Sequence, residues 1–494
     1  PSLTLELDSH TADAGIETRV EAFLDIIQHF RQIEAQPDKR TTVRSEAFRP
    51  AAVEHRNGRT GIRRSSGEWV PLDDPRVKVI VPAMGRYGTA LVAKAFGRRA
   101  VRAVPLPSAD AEILKLGRGH STCKECLPLQ TTVGSLLQYL QCRPPDEITA
   151  YFMLTTDGPC RFGQYDVFSK GLIEKLRIPD MAVLSLTTAN GYAGLGNRFA
   201  LAAWRAVIIG DLFDDMYSMV LAAAENPSYG LRVLDEEHKA LSAVMHKSWP
   251  VVARQLTRSA EHLASVTLKR PVRQVPTVSL IGEIYVRRDP ISLQGLVERL
   301  SEEGIAVRTS HTNEWIKYLD WLTKEGIDGQ KSLAFWVRHW VKRHLDQSVR
   351  KRLALSSLFY CDGLDVAPIV EAGARFISPR LMGEAILTVG NALHEILHPS
   401  CGIIAIGPFG CMPSRVAESV LSEKLTTTEK RAIAKHNGHS SWGKLLETHR
   451  KLPFLSIETD GNAFPQIIEA RLEAFLLQAR RLNERLQQLE RANS

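Results

Sequence analysis

Short, wholly apolar runs alternating with amphipathic stretches predict an α/β protein: two Rossmann-like lobes with parallel sheets, helical insertions and a long C-terminal helix. The clearest run, Val77-Lys78-Val79-Ile80-Val81, is that of a strand buried on both faces. Gly85 and Gly88 follow it, then a helical pattern through Phe96 and a second strand over 100–104. The same plan returns as a strand over 277–281, a helix over 293–300 and a strand over 305–307. Further strands over 150–154 and 182–186 in the first half, and over 402–406 and 454–457 in the second, complete two open sheets. In such sheets ligands bind beyond the carboxyl ends of the strands.

The remaining segments divide the chain. Residues 1–75 read as an N-terminal arm or linker, with an amphipathic helical stretch (Val20, Phe23, Leu24, Ile27, Phe30) and then a polar, Arg-rich segment without periodicity. A first lobe is expected over 76–190 and a helical segment over 191–275, with helices at 199–223 and 236–268. The second lobe occupies 276–494, interrupted by a Trp-rich helical stretch at 314–355 and closed by a helix from about residue 464 that alternates Arg, Glu and Gln.

With 494 residues, 44% hydrophobic and 24% charged, the composition is that of a globular protein, and no apolar run reaches bilayer-spanning length. The chain opens on Pro1 without a charged-then-apolar leader, so the expectation is a cytoplasmic protein, processed or cut from a longer chain. A net charge of +8 is spread thinly; Arg98-Arg99, Arg287-Arg288 and Lys351-Arg352 lack interleaved aromatics, which argues against a nucleic-acid groove.

Chemistry is concentrated in cysteine-bearing turns: Lys124-Glu125-Cys126-Leu127-Pro128, Gly158-Pro159-Cys160-Arg161-Phe162-Gly163 and Gly407-Pro408-Phe409-Gly410-Cys411-Met412-Pro413. Proline suits the first turn of a helix and glycine allows close approach to a bulky ligand, so each thiol can be offered at a helix start, where bare amides favour anions. Soft thiolates brought together from distant stretches suit an iron–sulfur cluster, and three of them leave one iron without a protein ligand. Cys123 completes a Cys-x-x-Cys pair with Cys126 and is a further candidate ligand; Cys142 suits a core thiol, while Cys361 and Cys401 carry no assignment.

A competing motif is His394-Glu395-Ile396-Leu397-His398, the His-Glu-x-x-His pattern of zinc hydrolases, although Pro399 follows at once and no third ligand stands at a standard spacing. Gly191 to Gly196 precedes a helix without matching the P-loop or dinucleotide fingerprints, so no ATPase site is expected. Glu283, Tyr285 and Arg287, after the strand over 277–281, are candidates for proton transfer or anion binding, as are Asp460 and Asn462 after the strand over 454–457.

Together, the three cysteine turns, Gly282-Glu283-Ile284-Tyr285-Val286-Arg287 and Glu458-Thr459-Asp460-Gly461-Asn462 resemble the 2-hydroxyacyl-CoA dehydratase superfamily, and within it the dehydratase-like C-terminal region of acyl-CoA dehydratase activase-related proteins. The resemblance covers about residues 76–480. It implies a [4Fe-4S] cluster on Cys126, Cys160 and Cys411, and an ATP-dependent activase, separate or fused, as electron donor; Arg161, next to Cys160 in the chain, is the cation expected to stabilise the added negative charge. An acyl-CoA or another small molecule would be the substrate, with a homodimer among the assemblies it allows. A double-cubane cluster on six cysteines is the related alternative; a metal-free scaffold or partner-binding module is the remaining one.

Overall fold

A computed structural model describes residues 48–122, 125–156, 160–185, 194–361, 363–397, 400–436 and 451–493, together with helical positions between 20 and 31. The chain divides into two compact units, Pro1–Arg49 and Pro50–Ser494, and among the described residues every strand lies in the second. The expected helix near the N-terminus is present at the described positions Val20, Phe23, Leu24, Ile27, Gln28 and Arg31; Phe30 lies outside the described residues.

In chain order the strands are β1 (Ala52–Arg56), β2 (Arg59–Arg63), β3 (Trp69–Pro71), β4 (Val77–Val81), β5 (Ala103–Pro105), β6 (Ile148–Phe152), β7 (Met181–Leu184), β8 (Thr277–Gly282), β9 (Ala306–Thr309), β10 (Gly402–Pro408) and β11 (Phe454–Thr459). The first sheet has the order β5-β4-β6-β7 and the second β11-β10-β8-β9, with every neighbouring pair parallel. Counted within each lobe, both read 2-1-3-4, so each has a switch point between its first and third strands, where side chains from two loops can meet. The α/β class and the doubled plan are therefore present.

Helices cover both faces of each sheet. The first lobe uses α1 (Gly88–Ala95), α2 (Ala111–Gly119), α3 (Leu127–Cys142) and α4 (Tyr165–Lys175). One sheet face packs Ile80, Tyr151, Met181 and Val183 against Leu129, Val133 and Leu136 of α3 and Leu172 and Ile173 of α4. The other packs Val77, Val79, Ile148 and Ala150 with Phe96, Phe199 and, unexpectedly, Ile62, Val70 and Leu72. Ile62 and Val70 belong to an antiparallel sheet, β1-β2-β3, formed inside the segment read as an arm, and Leu72 directly follows its last strand. Arg64 fastens that sheet to the lobe through Asp180 at 2.7 Å.

The long helix α5 (Gly196–Ala223) carries Trp204, Phe213 and Met216 into a helical core with α6 (Pro227–Val244) and α7 (Trp249–Leu263). The single helix expected over 236–268 is thus two, because Ser248 and Trp249-Pro250 start a new one. After β8 come the short α8 (Pro290–Leu293), then α9 (Leu296–Glu302), α10 (Thr312–Glu325), α11 (Leu333–Leu353), α12 (Val366–Ala374), α13 (Glu384–Glu395), α14 (Met412–Lys424), α15 (Thr427–His436) and α16 (Gln466–Asn493). Val278, Leu280, Ile404 and Ile406 pack on Leu296, Leu300, Leu472 and Phe475; the opposite face of the sheet packs on α12 and α13. No helix among the described residues is long and apolar enough to cross a membrane.

The lobes are joined at the carboxyl ends of their strands. Arg118 of α2 donates to the Asp460 carbonyl at 2.6 Å and to Asn462 Oδ1 at 3.3 Å, and a Cβ on Gly461 would press on Leu114 and Leu127. Asp460 and Asn462, read as candidates for chemistry, therefore serve the contact between lobes.

Candidate functional site

Each of the three cysteines caps a helical turn. Cys126 is the N-cap of α3, Cys160 of the 3-10 turn Arg161–Gln164, and Cys411 of α14; Pro128 and Pro413 occupy the first turns of the two α-helices. The Cys160 sulfur receives the Phe162 amide at 3.5 Å, whereas neither Cys126 nor Cys411 closes a side-chain cap hydrogen bond. A cap normally uses oxygen for this; sulfur in that role leaves a soft donor in the positive end of a helix.

The thiols lie within one another's electrostatic field. Burial raises the Cys126 pKa, Tyr165 opposes it with its hydroxyl 2.6 Å from the sulfur, and charge on Glu283 and Cys411 adds to the rise. Desolvation by the surrounding chain raises Cys160, with Glu283, Cys126 and Glu384 adding, and takes Cys411 to about 11, with Glu283 and Glu384 adding. A trio so placed keeps its protons unless a cation or cluster replaces them.

Glu283 and Glu384 complete the group. Glu283 follows β8, where Gly282, at φ +110°, turns the chain out of the sheet. Its Oε2 accepts from the amides of Tyr285 at 3.0 Å and Val286 at 2.9 Å, yet burial keeps its carboxyl above the ordinary value. Glu384, in the first turn of α13, receives Arg287 Nη1 at 2.9 Å and Trp315 Nε1 at 3.4 Å on Oε1. Sequence reasoning missed Glu384, since nothing in Gly383-Glu384-Ala385 is a recognisable motif.

The other candidates separate by role. Arg287 is buried, spans from Glu384 to the Gly282 carbonyl, and lines a cavity of about 180 Å³ with Arg86, Asp214, Arg288 and Glu298. Arg161 is exposed at the first position of its turn. Tyr285 is a packing residue of the second-lobe core whose hydroxyl meets Thr131 Oγ1 of α3 at 3.0 Å. Replacing Thr131 by valine leaves that buried hydroxyl without a partner and is expected to cost about 1–3 kcal/mol, read as a lowered denaturation midpoint. An unchanged midpoint would remove Tyr285 from the lobe contact.

Cys401 and Cys411 stand at opposite ends of the seven-residue β10, about 23 Å of strand, and Cys401 is buried against the Thr277 carbonyl. Cys142 ends the sixteen-residue α3, about 24 Å of helix from Cys126. Cys361 is exposed, and Cys123 lies outside the described residues. In the His-Glu-x-x-His segment, α13 stops at Glu395 and Leu397 turns left-handed at φ +74°, so no continuous helix carries the spacing onward; His398 lies outside the described residues. Glu395 is bonded to Ser279, and burial lowers the His394 pKa. Of the Gly191–Gly196 stretch, only 194–196 are described, and α5 starts at Gly196.

Among the described residues, no three His, Cys, Asp or Glu side chains are grouped closely enough to hold a single metal ion. Ligands of one tetrahedral ion stand roughly 4 Å apart, given a metal–sulfur bond of about 2.3 Å. A polynuclear group offers each thiolate a different metal and accepts a wider set, so the all-sulfur donor set fits a cluster in its chemistry. No family model matches the chain, and no curated protein is recognisably similar to it in sequence.

Proposed function

We propose that this chain is a cytoplasmic iron–sulfur protein, the dehydratase- or reductase-like component of an ATP-dependent, low-potential electron-transfer system, holding a [4Fe-4S] cluster on Cys126, Cys160 and Cys411. The observation that supports the reading is that three cysteines from two lobes each stand at the N-cap of a helical turn, Cys126 within the field of Cys411 and Cys160 within that of Cys126. When bound, such a cluster supplies one-electron transfer and an iron without a protein ligand.

The chain's own residues would tune that site. The Tyr165 hydroxyl at Cys126 and the Phe162 amide at Cys160 direct hydrogen-bond donors at sulfur, which favours added negative charge and eases reduction. Burial raises the carboxyl pKa of both Glu283 and Glu384, whose charges are felt by Cys160 and Cys411. An activase that hydrolyses ATP and a small-molecule substrate such as an acyl-CoA follow from the family resemblance.

Strictly anaerobic purification should yield brown protein with about four iron and four sulfide per chain and a paramagnetic signal on reduction. Cys126→Ala, Cys160→Ala and Cys411→Ala should each abolish the signal and the sulfide. Colourless protein, or zinc lost on His394→Ala, would sink the reading.

A further inference from the structure

We propose that Arg98, Arg205 and Arg352, gathered around Trp249 at the start of α7, form a binding site for a phosphate group, remote from the cysteines and independent of what they hold.

The deciding residue is Arg205. It lies on α5, is 5% exposed, and its Nε has no hydrogen-bond partner among the described residues. Each of the other buried arginines has an acid: Arg287 pairs with Glu384, Arg288 with Asp211 and Asp214, and Arg350 with Asp346. No described carboxylate pairs with Arg205, and the charge that reaches it is a like one. Burial first, and then Arg98, lower its pKa to about 10, so the guanidinium stays charged at neutral pH. A buried cation without a counter-charge is strongly destabilising, and its presence here points to an anion supplied from outside the chain.

The second support is the company Arg205 keeps. Its guanidinium carbon stands 5.5 Å from the centre of the Trp249 ring, and that of Arg352 stands 5.7 Å from the same ring. Arg352, in the last turn of α11, donates to the carbonyl and hydroxyl of Ser348, neither of which carries a charge. Arg98 enters on the 3-10 turn Phe96–Arg99, which lies so close to the connection between α6 and α7 that a Cβ on Gly97 would stand 3.0 Å from that of His246. Burial lowers the His246 pKa, and Lys247, Lys94 and Arg98 lower it further. Trp249 itself opens the fifteen-residue α7, whose N-cap Ser248 closes no side-chain bond, so the positive end of a helix faces the same cluster.

The chemistry of the donors selects the ligand. A guanidinium offers a planar fork to two oxygens at once, and three of them from three separate elements suit a tetrahedral, multiply charged phosphate better than a single flat carboxylate. The position separates this site from the thiols. Because β5 runs parallel to β4, the chain returns to the amino end of the first sheet before Ala103, and Arg98 lies on that return, whereas Cys160 follows the carboxyl end of β6.

The test uses the full chain in phosphate-free buffer, titrated with pyrophosphate, inorganic phosphate, ADP and, at matched ionic strength, sodium chloride, and read by calorimetry and by the thermal midpoint. Pyrophosphate should raise the wild-type midpoint where chloride does not. Arg98→Ala should weaken pyrophosphate binding about tenfold, the worth of one charge-assisted hydrogen bond, and Arg471→Ala, which removes an exposed cation of α16, should leave it unchanged. Arg205→Met separates a ligand site from a structural one: it should abolish the pyrophosphate response while keeping the midpoint without pyrophosphate at or above that of the wild type, since it removes an unpaired buried charge. ADP binding more tightly than pyrophosphate would mark a nucleotide as the source of the phosphate, and equal or weaker binding a free phosphate or pyrophosphate. A pyrophosphate response no larger than that to chloride, a response that Arg98→Ala leaves intact, or an Arg205→Met midpoint below the wild type without pyrophosphate overturns the proposal.

Discussion

Replacing Arg288 by methionine is expected to destabilise the protein by about 3–5 kcal/mol, the cost of breaking a buried ion pair and leaving its partners unpaired. Arg288 is 3% exposed and reaches from the β8 loop to α5, where it pairs with Asp211 at 2.9 Å and with Asp214, and donates to the Ser310 carbonyl at 2.9 Å. Asp211 has a second duty, accepting the amides of Thr312 and Asn313 at the start of α10. Burial pushes Asp214 up to about 6, with Arg288 opposing and Asp211 and Asp215 adding, so without the guanidinium three acids in one turn of α5 face each other. The double variant Arg288→Met with Asp214→Asn should recover part of the loss. Arg288→Lys should fall between, because one ammonium cannot replace a planar fork that serves two carboxylates and a carbonyl. Chemical denaturation of the four proteins checks this, and a loss below about 1 kcal/mol for Arg288→Met would show that the cluster is not what ties α5 to the β8 loop.

What could be read from the sequence follows how much of each element is buried. Strands such as β4, β8 and β10 are covered on both faces, so their residues are almost uniformly apolar and stand out from any neighbour. The β1-β2-β3 sheet escaped notice because its strands carry few large apolar residues: Arg59-Thr60-Gly61-Ile62-Arg63 offers Ile62 as its one large apolar side chain, and reads as a polar linker. The cysteine turns were legible because proline and glycine punctuate them, and their caps are where those residues point. Tyr285 looked like its polar neighbours Glu283 and Arg287, and only the packed structure shows its ring in the second-lobe core and its hydroxyl at Thr131. Glu384 had no local signature at all.

Glu314 should make the wild-type protein lose stability as pH rises, and Glu314→Gln should remove that dependence. The residue lies in the first turn of α10, fully enclosed, with Asn391 donating to Oε1 at 2.5 Å. Burial raises its pKa to about 7, with Arg287 and Asn391 opposing and Glu395 and Asp211 adding. In the unfolded chain the carboxyl ionises near its ordinary 4.5. Between these values the native state holds a proton that the unfolded state has released, so unfolding is favoured increasingly as pH climbs from 4.5 to 7 and by a constant amount above. A gap of about 2.5 units corresponds to a ceiling of about 3 kcal/mol. Glutamine keeps the acceptor for Asn391 and imitates the protonated acid, so it carries no such penalty. Denaturation at pH 4.5 and pH 8 should show the two proteins closest at the acid end and the variant ahead at the alkaline end. Parallel profiles would mean that Glu314 is ionised in the folded protein, with Arg287 supplying enough field to hold its charge despite burial.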